Sequence, residues 1–345
     1  MTAAQTAPAQ ASAQSPAQAS PAPRGPRPHG LGWLMWRQQR MLVWLWLAAI
    51  LAAAVAFPIL RSAMASFIES HHIAGCAEIS LDPACQGQGI QRAVAEFRNG
   101  YGETIKLLGL LLLALPVAVG AAVGAPLFGH ELESGTWKLV LSQSVGRTRW
   151  VLAKLATAAV VSLVGSGILA LLFHWLWLPA ANDVSGVSWY SRIFVVSGGP
   201  LLPATVLLGL AVGALAGALL GRVQAAMVVT LGVVPALQYG LATLRPYLWG
   251  WHTEFIARSQ LPNDVWGFGQ GFMRPDGTRL PYDVCGGAKD WAACQSANVD
   301  LREFSDVHQA GDYWPLQLVE SALCLALAGL LAFVLIRWAA RRFGR

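Results

Sequence analysis

Few residues in this sequence combine type and spacing in a way that chemistry could use. His130, Glu131 and Ser134 lie in HELES, which opens like the zinc-protease HExxH, where two histidines one helical turn apart hold the metal. Position 134 is serine, so the second ligand is missing and no metal site is assigned. Ser166 lies in the stretch Val164-Gly165-Ser166-Gly167, close to an intramembrane serine nucleophile, yet the GxSG order is absent and a small packing residue is expected. No catalytic residue is assigned. No GxxxxGK[ST] occurs, so this chain has no phosphate loop of its own for ATP. His174 and Glu320 fall inside long apolar runs toward their outer ends, and an ionisable group in lipid is a functional candidate by default. Cys76 with Cys85 and Cys285 with Cys294 form two pairs of equal spacing. They suggest two local disulfides in an oxidising compartment, with four free thiols as the alternative. A zinc site is disfavoured by the lack of CxxC spacing. Cys324 reads as a small core residue.

The elements that carry these residues follow from composition. With 55% hydrophobic and 12% charged residues in 345, the chain is too apolar for a soluble domain and reads as an all-α integral membrane protein. Runs of about 20 apolar residues, enough to cross roughly 30 Å of hydrocarbon as helix, occur at 42–61, 105–129, 155–178, 199–221, 225–243 and 316–338. These six predicted spans do not alternate as barrel strands would. With both termini cytoplasmic, the inner segments 1–41, 130–154, 222–224 and 337–345 hold 13 Lys and Arg against Glu131 and Glu133 alone. That is the bias the positive-inside rule asks for. The net charge of +6 then faces anionic headgroups, and a nucleic-acid partner is not expected. The cysteine pairs fall in outer loops, 62–104 and 244–315. The second is long enough for a small folded cap.

Residues 1–28, built from Ala, Pro, Gln and Ser, read as a disordered tail. Residues 29–41, with Trp33 and Trp36 ahead of Arg37 and Arg40, suit either an interfacial helix or an N-terminal extension of the first span. Gly120 and Gly124 in the second span, and Gly209, Gly213, Gly217 and Gly221 in the fourth, repeat every four residues. Such a face lets backbones approach closely; packing is the plain reading, and a dimer interface or moving contact the sharper one.

Two blocks carry a family likeness. APLFGHELESGTWKLVLSQSVGRTRWVLAKL (125–155) resembles the cytoplasmic loop of actinobacterial ABC-2-type transporter permeases, and YWPLQLVESALCLALAGLLAFVLIRW (313–338) is similar to their entry into the last span. The resemblance implies an ABC-2 exporter-type membrane domain, multi-pass in the cell membrane. It further implies pairing with a second permease copy or homologue, and service by a separate ATP-binding subunit that holds ATP and Mg. The cargo expected from the apolar spans is an amphipathic or hydrophobic compound. Glu131, Glu133, Gly135, Thr136, Arg147 and Arg149 would then be the ATPase-coupling residues. The two glutamates would sit where a short coupling helix begins, and the charges would face water without an intramembrane partner. Two other readings are an enzyme using His174 or Glu320 and a sensor or scaffold acting without an ATPase.

Overall fold

The computed structural model describes residues 31–77, 83–135, 146–181, 184–257, 260–286 and 300–342, with isolated positions between 290 and 296; side chains are described from Gln39 on, that of Arg147 excepted. The tail 1–28 and Thr136 lie outside the described residues. Six helices among those described are long and apolar enough to cross a membrane: Gln39–Ser70, Gln88–Ser134, Thr148–Ala180, Leu201–Leu220, Val223–Tyr247 and Ala310–Arg341. Lipid offers no partner for backbone N–H and C=O, and a helix pairs them within itself.

In chain order the bundle consists of α1 (Leu31–Ser70), α2 (Gln88–Phe97), α3 (Glu103–Val119), α4 (Ala125–Ser134), α5 (Arg147–Trp177), the short α6 (Arg192–Ser197), α7 (Leu201–Leu220), α8 (Val223–Leu244) and α9 (Tyr313–Arg342). Two π-helical stretches, Arg98–Gly102 and Gly120–Gly124, join α2 to α3 and α3 to α4 into one rod. Helix α1 runs unbroken from Leu31, so residues 31–41 are continuous with the helix of the first span.

Helix enters the 62–104 segment from both sides. α1 extends to Ser70 and the second rod begins at Gln88, so both helices rise beyond the apolar runs. Hydropathy marks where lipid ends, whereas these helices continue because they have something to bury: Met64, Phe97 and Ile73 are fully covered, and the Phe67 and Phe97 rings lie 5.8 Å apart. A disulfide joins Cys76 to Cys85 at the top of this hairpin, Cα atoms 5.4 Å apart. The second outer segment carries a four-stranded antiparallel sheet, order β1-β4-β2-β3, from β1 (His252–Glu254), β2 (Trp266–Met273), β3 (Arg279–Pro281) and β4 (Arg302–His308). Cys285 and Cys294 are bonded between β3 and β4. The cap is anchored to the bundle by Trp189 Nε1, which donates to Asp264 O at 2.7 Å, and by the His308 ring against Pro246 O at 2.9 Å.

The core is organised around α7. Within its apolar window 83% of residues are buried, against 22–33% in the other five spans. It touches α3, α4, α5, α8 and α9 and the second π stretch. Its glycines make this possible. A Cβ on Gly209 would strike the Pro116 carbonyl, one on Gly213 the Gly120 carbonyl and one on Gly217 the Ala125 carbonyl. Reciprocally, a Cβ on Gly120 would lie 2.6 Å from Gly209 O, and one on Gly124 2.6 Å from Leu210 O. The glycine face is therefore a contact within one chain, between α7 and the rod α3–α4. Gly221, at φ +61°, ends α7 in the left-handed conformation and turns the chain directly into α8. Elsewhere Gly165 leaves room for the Trp46 ring where α1 meets α5, and Ser166 Oγ donates to Ser162 O at 2.5 Å, the packing role expected.

Gly213→Val should therefore force two backbones apart and lower stability by at least about 1–3 kcal/mol. Gly232→Ala on α8, where an added Cβ meets nothing within 4 Å, should cost nothing and add up to about 1 kcal/mol. Thermal unfolding of the two purified variants in detergent checks this; equal midpoints would contradict the packing account.

Candidate functional site

The polar residues gather at the two ends of the bundle. At the end away from the cap, α4 closes with Gly135 in the left-handed conformation at φ +71°. Glu131 and Glu133 thus occupy the last turn of a helix rather than the first turn of a coupling helix, and there the helix dipole disfavours carboxylates. Each finds compensation elsewhere. Glu131 Oε1 accepts from Lys154 Nζ at 2.6 Å, and both side chains are about nine-tenths buried. Lys154 also donates to Leu127 O at 2.7 Å, and its ammonium lies 5.3 Å from the Trp150 ring centroid. Gln39 Nε2 donates to Lys154 O at 3.1 Å, bringing α1 to the same place. Glu133, exposed, accepts from Val223 N at 3.2 Å at the positive end of α8.

The expectation that these charges all face water is wrong for Glu131. Residue 154 returns beside residue 131 only because α5 folds back along α4, a relation that no helical spacing along the sequence reveals. Arg149 is exposed on the first turn of α5. Thr136 and the side chain of Arg147 lie outside the described residues.

At the cap end, α6 dips against α3: Ser197 Oγ donates to Gly109 O at 2.9 Å. The helix then breaks through Gly198-Gly199-Pro200 before α7 begins. Backbone groups freed by a break in a membrane domain must find other partners, and α9 supplies them. Gln317 Nε2 donates to Val195 O at 2.5 Å and its Oε1 accepts from Leu201 N at 3.3 Å. Tyr313 Oη donates to Gly198 O at 3.0 Å, and the His174 ring approaches the same carbonyl at 2.8 Å. Glu320 takes Arg245 in a two-pronged pair, Nε to Oε2 at 2.6 Å and Nη2 to Oε1 at 2.9 Å, both side chains almost fully buried. His174, through Nδ1, and Glu320, through both carboxylate oxygens, are therefore engaged in contacts between helices. Arg245 was read only as part of an outer loop. The sole signal was an arginine at the edge of one span and a glutamate inside another. Among the described residues no group of His, Cys, Asp and Glu is arranged to hold a metal ion.

A family model described as ABC-2 membrane transporter related matches residues 47–245, more than half of the chain. This chain belongs to that family. It is a multi-pass membrane transporter permease, and the matched region takes in five of the six apolar spans, both π stretches and the α6–α7 break. The match stops at Arg245, leaving the cap sheet and α9 outside it. No curated protein and no solved structure matches the chain. In this ABC-2 chain the last helix nevertheless completes the site, since Tyr313, Gln317 and Glu320 all act on residues inside the matched region.

Arg245→Leu or Glu320→Leu alone would strand a buried charge and should cost about 3–5 kcal/mol, while the double Leu variant should recover most of that loss. Thermal unfolding of the four proteins in detergent measures it. Additive losses would mean the pair is not coupled.

Proposed function

We propose that this chain is the membrane subunit of an ATP-driven exporter, one of two permeases served by a separate ATP-binding subunit that holds the ATP and Mg. The observation that carries the proposal is the wiring of the α4–α5 connection. Glu131 is bonded to α5 through Lys154, and Glu133 to the start of α8 through Val223 N. A force applied to this connection therefore reaches three spans at once, which is what a lever driven from outside the membrane requires. Glu133 and Arg149, of opposite sign and exposed, offer the complementary charges that a docking partner reads. Arg147 joins them by its place in the sequence.

In this reading both termini and the connection are cytoplasmic, with the disulfides and the cap outside a bacterial plasma membrane. The distribution of Lys and Arg supports that orientation. Apolar faces left open on α1, α5, α8 and α9 suit lipid and a second permease copy, and an apolar path between copies favours amphipathic or hydrophobic cargo.

Glu133→Ala with Arg149→Ala should cost at most about 0–1 kcal/mol of folding stability, as exposed charges do. It should weaken binding to the separate ATP-binding subunit by roughly thirtyfold or more, if each charge meets a partner in the interface. Copurification and cargo-stimulated ATP hydrolysis in liposomes read this out, and wild-type behaviour in both would overturn the coupling role. For orientation, Ser134→Cys should resist an impermeant thiol reagent in intact cells while Gly277→Cys labels; the reverse pattern would invert the topology.

A further inference from the structure

The chain enters the cap at the end of α8, and it does so with little charge. From Val223 to Trp251 the only charged residue is Arg245, which is buried against Glu320. What this stretch exposes is apolar and aromatic. On α8 it shows Leu231, Tyr239 and Leu244, and past the helix Tyr247, Trp249 and Trp251, which are 64%, 44% and 43% exposed. A strip without an exposed charge thus runs from the open face of a membrane-spanning helix to the root of β1.

Length places the strip. The 22 residues of α8 rise about 33 Å, enough to cross hydrocarbon about 30 Å thick. The residues that follow fall in the headgroup layer, which adds roughly 5–7 Å on each side. Two other spans carry the same marker at the cap end: Trp175 near the end of α5 and Trp314 at the start of α9 are also exposed. Trp and Tyr collect at this depth because each has an apolar ring and a polar N–H or O–H. A lipid layer surrounds the bundle and so accounts for exposed tryptophans on several spans at once. The strip is also tied to the sheet. The Tyr247 and Trp251 rings lie 6.1 Å apart, and their centroids are 5.9 and 6.1 Å from that of Phe268 on β2. Phe268 in turn stacks on His308, which anchors the cap, at 5.1 Å.

We propose that the root of the cap is an interfacial membrane anchor, with Tyr247, Trp249 and Trp251 seated among the headgroups and ester oxygens of the adjacent leaflet. Because two of these rings pack on β2, the sheet is held at the bilayer surface and tilts away only by withdrawing them. The inference rests neither on ATPase coupling nor on which side of the membrane the cap faces, so either reading can fail without the other.

The test uses the full chain in phosphatidylcholine nanodiscs, with a fluorophore on a single introduced cysteine and Cys324, which is buried, replaced by alanine. Gly250→Cys puts the label between the two tryptophans, where an added Cβ meets nothing within 4 Å. Thr278→Cys puts it on the exposed β2–β3 turn as the aqueous reference. Phosphatidylcholine bearing a nitroxide on its headgroup should quench the label at 250 severalfold more than the label at 278, and iodide should do the reverse. Trp249→Glu should raise iodide quenching at 250, and no change would overturn the anchoring role of that ring. Iodide reaching 250 as readily as 278 would overturn the seating. Shielding of 250 from both quenchers would mean that protein covers the strip, which overturns the lipid assignment.

Discussion

The contact on which everything else depends is the one between the glycine face of α7 and the carbonyls of Pro116, Gly120 and Ala125. Helices in lipid gain nothing from hiding apolar surface from one another, so their association rests on close van der Waals fit. Here the fit is backbone against backbone. The π stretch at Gly120–Gly124 widens one turn of the partner rod where α7 presses against it, and with Pro116 just before it the rod is shaped to α7 rather than ideal. Remove that fit and α7 loses its place, and with it the common surface on which α3, α4, α5, α8 and α9 pack.

The second layer of organisation is polar, and sorted by end. The α4–α5 end is held by one buried ion pair and a carboxylate at a helix N-terminus. The cap end is held by an arginine–glutamate pair and by the α9 side chains that complete the broken α6–α7 backbone. Between them the spans are apolar.

How much of this could be read from the sequence follows from the range of the interactions. The spans were legible because an apolar run of the right length needs no partner to be recognised. Disulfide pairing was legible because each pair is local. The glycine face was legible as a packing surface, though not its partner. Glu131 was misread because Lys154 returns beside it only after a complete turn of the chain. The helical hairpin above the first two spans was read as a loop because hydropathy reports the solvent, not the helix. Gln317 and Tyr313 stood in a recognised block, but their task depends on a break at Gly198-Gly199-Pro200 on another element.

The break has a consequence for how the chain is made. The carbonyls of Val195 and Gly198 and the amide of Leu201 emerge from the ribosome with α6 and α7, whereas Gln317 and Tyr313 follow more than a hundred residues later, after the cap sheet. Until α9 enters the bilayer, these groups have no α9 partner. A chain cut before α9 would therefore carry an incomplete joint in its middle, lacking the bonds that Gln317 and Tyr313 supply to the α6–α7 break.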